Sequence, residues 1–321
     1  MLWRLKGDEM PQSLWLFVFT AVVYGLQNVP GPDGVLMVLL ASMWPLVTVN
    51  AGFFLMAVEA VTGRVSMGWL LPVGLYFGGN LVIAGLSHLQ LSQFEQAVEQ
   101  YNATRAIPFS PETESLLIKT QASFAPVPWS LLENYDIPVV LTQDLSTREK
   151  QITALRVGVD PLCKQLWRDQ AAGKGNRRVF GYLDHSRKRS PLVQNMCTYR
   201  QPQSPHGRMV TVTANPPVVD DRFLLVTNKQ TITVTSTTGV TTNLLYADAI
   251  PIHWFPLLFG GCFRGPGDAE SRCDFGPLRV FSVPAMGGTH SATDLLAKAL
   301  GLKASIATER RDKIMSTQAA N

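Results

Sequence analysis

Charge is what long stretches of this chain lack. Between Met10 and Val58 the one charged residue is Asp33, and from Val65 to Phe94 there is none unless His88 is protonated. Cysteine is absent from the first 162 residues, and the four that follow, Cys163, Cys197, Cys262 and Cys273, form no CxxC pair, which excludes that redox motif. The five histidines, at 88, 185, 206, 253 and 290, never fall at zinc spacing from a cysteine, so no metal site is expected. No GxSxG elbow is present. Asp184, His185 and Ser186 are adjacent, but neighbours on a strand point to opposite faces and cannot easily form one triad. The Lys174 stretch "AAGKGNRR" lacks the GxxxxGK[ST] spacing of a phosphate-cradling loop. No catalytic residue and no cofactor are predicted.

The uncharged stretches are long enough to matter. A membrane span needs roughly 20 apolar residues, because the hydrocarbon layer is about 30 Å thick. Three segments are read as spans: Ser13 to Asn28, which is short unless Pro11, Gln12 and Val29 sit in the headgroup zone, Gly34 to Val58, and Gly68 to Leu91. The turn "VPGPDG" between the first two predicts a helical hairpin. The first run resembles a secretory leader, but Asp8 and Glu9 precede it and no small-x-small cleavage site follows before the next span. Arg4, Lys6 and Arg64 flank the spans on one side, so the amino terminus and the Arg64 loop are expected in the cytoplasm and everything after Gln90 on the outer side. Pro45 and Pro72 allow kinks.

The third segment carries Gly74 and Gly78 at GxxxG spacing, with Gly85 further along, which predicts a face for close helix contact. Asn50 and Asn80 are expected to hydrogen-bond across helices, as amides in an apolar layer need partners. No Asp, Glu, Lys or Arg lies inside these helices apart from Glu59 at one end, which argues against an ion or proton path.

Beyond Leu91 the pattern changes. "SQFEQAVEQYNATR" continues the third helix into water. Ser110-Pro111-Glu112 and Asp160-Pro161 both read as helix starts, "STREKQITALRV" as a short helix, and the proline-rich 125–140 as a packed loop. From Arg178 the period shifts to two, and six short strands predict a mainly antiparallel sheet, with turns at Asn-Pro-Pro, Asn-Lys and Thr-Gly. Ser291 to Asp294 reads as a capping box for a last helix. The expected fold is thus a membrane protein with three amino-terminal transmembrane helices and an extracytoplasmic α+β domain. Residues 1–12 form a short cytoplasmic end and 13–91 the three-helix region. The outer domain covers 92–290, with helices over 92–173 and the sheet over 177–248, and 291–321 form a helix and polar tail.

If the orientation holds, all four cysteines face an oxidising space, and the pairs Cys163 with Cys197 and Cys262 with Cys273 are predicted; two other pairings remain open. Between Arg148 and Lys229, 15 bases stand against 6 acids. The densest part is Lys174, Arg177, Arg178, Arg187, Lys188 and Arg189, read as a solvated face with lipid headgroups or an acidic protein as the nearer partners and nucleic acid disfavoured. "IPIHWFPLLFGGCF" (250–263) is too short and proline-broken for a span. Three placements stay open for it: core, membrane interface, or a docking surface led by Trp254 and Phe255.

These features predict a non-catalytic integral membrane subunit of a larger envelope assembly, of secretion, conjugation or pilus type by architectural analogy. Its place is a bacterial inner membrane with the large domain periplasmic. Its partners are membrane lipid and other envelope proteins, with self-association allowed. The alternative is a membrane-anchored sensor or ligand-binding receptor acting through a partner; a membrane-anchored enzyme comes third.

Overall fold

In the computed structural model three apolar helices open the chain. Described are residues 10–27, 43–121, 124–146, 151–174, 176–183, 189–190, 195–205, 207–263, 272–277, 279, 281–286, 291–305, 309 and 311–315, with the backbone alone at 181–183, 189–190, 259, 261–263 and 272–275. Helix α1 spans Leu14–Gln27, α2 Trp44–Val61 and, after a 3-10 turn at Met67–Trp69, α3 Leu70–Ala103. At a rise of about 1.5 Å per residue, the 14 residues of α1 reach about 21 Å, the 18 of α2 about 27 Å and the 34 of α3 about 51 Å. Two helices, Trp44–Val61 and Met67–Ala103, are therefore long and apolar enough to cross a membrane. Residues 28–42, over which the second expected span begins, lie outside the described residues. Pro45 and Pro72 fall in the first turns of their helices, where a missing N–H costs nothing, so neither makes a kink.

The chain divides into two compact units. One comprises Met1–Gln93, Asp221–Val226 and Ala249–Val283; the other comprises Phe94–Asp220, Thr227–Asp248 and Pro284–Asn321. In the first unit α1 and α2 pack as an antiparallel hairpin. The Ser13 hydroxyl donates to Glu59 at 3.3 Å, Phe17 meets Phe53 edge-on at 4.9 Å, and the hydroxyls of Thr20 and Thr48 bond to each other. Strands β11 (Leu258–Phe263) and β12 (Arg272–Pro277) form an antiparallel pair in the same unit.

The second unit is built on one sheet. Its strands are β1 (Glu114–Thr120), β2 (Val139–Asp144), β3 (Ile152–Val159), β4 (Arg178–Leu183), β5 (Arg189–Ser190), β6 (Met196–Pro202), β7 (Arg208–Ala214), β8 (Val218–Asp221), β9 (Leu225–Thr235), β10 (Thr241–Pro251) and β13 (Val283–Pro284). Their order is β13-β10-β9-β7-β1-β2-β3-β6-β4-β5, with β8 paired to β9. The sheet is mixed rather than mainly antiparallel, because β1 runs parallel to both its neighbours, β2 and β7. A parallel pair needs a crossover, and α4 (Val127–Asn134) supplies it between β1 and β2. That helix lies inside the stretch expected to be a loop. Pro126 at its N-cap and Pro128 in its first turn sit where proline is tolerated, so the number of prolines misleads.

Two further expectations reverse. The turn at Ser110 does close, with the Glu114 amide donating to the Ser110 carbonyl at 2.9 Å, but the chain then enters β1 instead of a helix. "QITALRV" becomes β3, because its residues pair on one side with β2 and on the other with β6. Tertiary pairing overrides local helix propensity at both places. Asn228-Lys229 is no turn either: it lies within the continuous 11-residue β9. The expected helix after Asp160-Pro161 is α5 (Leu162–Ala171), closed by Gly173 at φ +66°, a left-handed conformation that favours glycine. Half of the capping box is present: the Asp294 amide donates to the Ser291 hydroxyl at 3.1 Å ahead of α6 (Ala292–Ala299), while the Asp294 carboxylate accepts from the Tyr135 hydroxyl at 2.7 Å.

On one face of the sheet Leu116, Ile118, Val140, Leu155, Val210, Val212, Ile232 and Leu244 pack with Leu131 and Leu132 of α4 and Leu295 and Leu296 of α6. Leu117, Leu141 and Ala154 form a smaller cluster on the opposite face, as the period-two alternation requires.

Candidate functional site

Helix α3 carries a row of polar side chains that hold the backbone of chain arriving some 140 to 170 residues later. Asn80 donates from its amide to the carbonyls of Trp254 at 2.9 Å and His253 at 3.4 Å. The Ser87 hydroxyl, fully buried, accepts from the Ile252 amide at 2.9 Å and donates to the Leu224 carbonyl. Asn50 of α2 donates to the Pro256 carbonyl at 2.9 Å, and its oxygen accepts from the Tyr76 hydroxyl at 3.2 Å. Both asparagines thus find partners, but on a returning non-helical segment; the expectation that they would link helix to helix holds only through Tyr76.

Aromatic contacts follow the same line. Phe53 stacks on Tyr76 with centroids 4.1 Å apart, Phe77 lies 6.2 Å from Phe255, and His88 stacks on Trp254 at 4.5 Å with planes 5° apart. Trp254 and Phe255 nevertheless remain 51% and 48% exposed. Arg279 holds the link between β8 and β9, donating to the carbonyls of Arg222 and Phe223 at 3.1 and 2.7 Å. Further along α3, within the sheet unit, Asn102 bonds both the amide and the carbonyl of Leu245 at 2.9 and 2.8 Å. The signal for all of this was in the sequence as small polar residues spaced along an otherwise apolar helix. What they would hold was not.

The glycines fall elsewhere. A side-chain carbon built at Gly74, Gly78 or Gly85 meets no atom within 4 Å, so no described part of this chain packs there. That side of α3 is a stripe of exposed Leu71, Leu75, Leu81, Val82, Leu86 and Leu89 at helical spacing.

Cys163 of α5 and Cys197 of β6 are bonded, with Cα atoms 5.8 Å apart, and both are fully buried against Leu166 and Val179. Cys262 and Cys273 stand opposite each other in the β11·β12 register, and their side chains lie outside the described residues. Of the basic run, Lys174, Arg177 and Arg178 are exposed; Arg187 and Lys188 lie outside the described residues, as does the side chain of Arg189. Among the described residues no group of three His, Cys, Asp or Glu is placed to hold a metal.

The sheet unit also has a polar cleft of about 430 Å³ beside α4, which the sequence did not reveal. Thr120, Thr142, Asp144, Thr153 and Arg200 come together there because β1, β2, β3 and β6 are neighbours, and Trp129 of α4 forms a wall. The hydroxyls of Thr142 and Thr153 are 2.9 Å apart. The Ser146 hydroxyl and amide, at 2.6 and 2.8 Å, hold the Asp144 carboxyl below its usual range, and the charge of Arg200 adds to this. A carboxylate with a lowered pKa favours the fold above the ordinary carboxylate range, and that contribution disappears as pH falls through the lowered value. Ser146→Ala is expected to raise the Asp144 pKa toward the ordinary value, read by carboxyl-carbon NMR titration; an unmoved titration refutes the assignment of cause.

No known protein family, curated protein or solved structure matches the chain. Its class therefore rests on its own geometry: an α+β protein with two helices of membrane-spanning length and a mixed sheet.

Proposed function

We propose that this chain is a non-catalytic integral membrane subunit of a larger cell-envelope assembly. It is anchored by α1, α2 and α3 in a bacterial inner membrane, with the amino terminus cytoplasmic and the sheet unit periplasmic. The observation that carries the reading is the open side of α3. A stripe of six exposed Leu and Val residues interleaved with three glycines is an aggregation hazard in water, but in a bilayer it is covered by acyl chains and by a partner helix that the glycines let approach closely. The basic residues Arg4, Lys6 and Arg64 support the orientation, and a buried disulfide suits an oxidising outer compartment. Secretion, conjugation and pilus machines are the assemblies that such an anchor-plus-ectodomain plan fits by architecture.

The test is mild detergent extraction from native membranes, then sizing and mass spectrometry. Stoichiometric partners are expected with the wild type, and severalfold less partner with the Gly74→Leu, Gly78→Leu double variant at equal abundance. A protein that runs alone overturns the reading.

The cleft supports a second reading, a membrane-anchored receptor that signals through a partner. It offers an acid, a base, three hydroxyls and an indole on one wall set, which is how small polar ligands are oriented. Saturable binding of a polar metabolite that Arg200→Ala abolishes would favour this alternative.

A further inference from the structure

The segment around Trp254 is bound at an unusual depth. Asn50 lies six residues, or about 9 Å, inside the Trp44 end of α2 and about 16 Å from its Val61 end. Asn80 is ten residues, or about 15 Å, beyond the start of α3, near the middle of the run from Val65 to Phe94 that carries no formal charge. The backbone carbonyls of His253, Trp254 and Pro256 are therefore held at the most apolar level of the helices, not at their ends.

Non-helical backbone survives within a hydrocarbon layer only where protein groups satisfy it. Here four backbone groups are held in this way: Asn80 serves the carbonyls of 253 and 254, Asn50 that of 256, and Ser87 the amide of 252. Pro251 and Pro256 bracket the turn and bring no N–H that would need a partner. Meanwhile the rings of Trp254 and Phe255 keep about half of their surface uncovered, on a segment whose carbonyls at 253, 254 and 256 are turned to the helices and whose exposed His253 ring accepts from the Phe255 amide at 3.1 Å.

We propose that residues 252–257 form a re-entrant turn that enters the acyl-chain layer of a phospholipid bilayer beside α2 and α3, with Trp254 and Phe255 packed against lipid. This rests on the membrane reading above and goes further. The chain re-enters the apolar layer without crossing it, and the asparagines in α2 and α3 are there to carry its backbone. It also resolves the choice between core, interface and docking surface for this segment: the docking partner is lipid.

The test reconstitutes the full chain in phosphatidylcholine vesicles. Single cysteines replace Phe255, Leu75 on the open side of α3, and Val240 at the exposed hairpin turn between β9 and β10. Each is labelled with an environment-sensitive fluorophore and challenged with lipids carrying nitroxide quenchers at mid-chain. Phe255→Cys and Leu75→Cys are expected to be quenched to a similar extent, severalfold more than Val240→Cys. If Leu75→Cys is quenched and Phe255→Cys behaves like Val240→Cys, the re-entrant turn is overturned while the membrane reading stands. If Leu75→Cys escapes quenching as well, the membrane reading itself fails and the turn with it. Trp254→Cys gives a second reporter on the same turn, and an intact Cys163–Cys197 bond in each variant verifies folding.

Discussion

Replacing Cys163 and Cys197 together by alanine is expected to lower the stability of the sheet unit by about 4 kcal/mol. The bond joins positions 34 apart in sequence, and closing a loop of that length removes about this much unfolded-chain entropy in the loop-closure model. Packing works in the same direction, since both sulfurs are buried beside Leu166 and Val179, and Gly158 approaches them with no room to spare. Urea unfolding of oxidised wild type against the double variant checks this. A shift below about 1 kcal/mol would mean that the unfolded chain is already constrained there. Thiol labelling of the unreduced native protein adds a compartment test: a labelled Cys163 or Cys197 contradicts the outer-side placement of the sheet unit.

The second large effect is expected at Ile118. It is fully buried at the centre of β1, facing Thr142 of β2 and Val212 of β7 in register, and it belongs to the main core. Ile118→Ala deletes three carbons where two parallel neighbours and the helices above hold the space open. The loss is expected to be about 2–5 kcal/mol, the range for a large-to-small core substitution that cannot collapse. For a unit of this size the thermal midpoint falls by about 2–4 °C per kcal/mol. An equivalent change at exposed Val240 should cost less than about 0.5 kcal/mol. Equal effects at the two sites would contradict the assigned core.

Legibility from sequence followed the range of the interaction concerned. The helices of the first hundred residues were readable because an uncharged apolar run has few alternatives, and α5, α6 and several strands because caps and period-two alternation are local signals. β1 and β3 were misread for the opposite reason. "ESLLIKT" and "ITALRV" have side chains compatible with either state, and their choice was made by β2, β6 and β7, whose partners in register come from up to about 90 residues away. The mixed order of the sheet has the same origin: direction of pairing is set by the α4 crossover, which hid behind prolines that happen to fit a first turn.

The candidate site divides along the same line. The sequence alone determined that α2 and α3 are apolar, that Asn50 and Asn80 are polar exceptions needing partners, and that Trp254 and Phe255 sit in a proline-bounded apolar stretch. Only the tertiary structure decided which partners they take. Hydrogen-bond need is a property of a residue, but the carbonyls that meet it at 253, 254 and 256 lie more than 170 residues further along the chain, and no spacing records that return. The polar cleft is tertiary for the same reason, since Thr120, Thr142, Thr153 and Arg200 share a face only once four strands are in register.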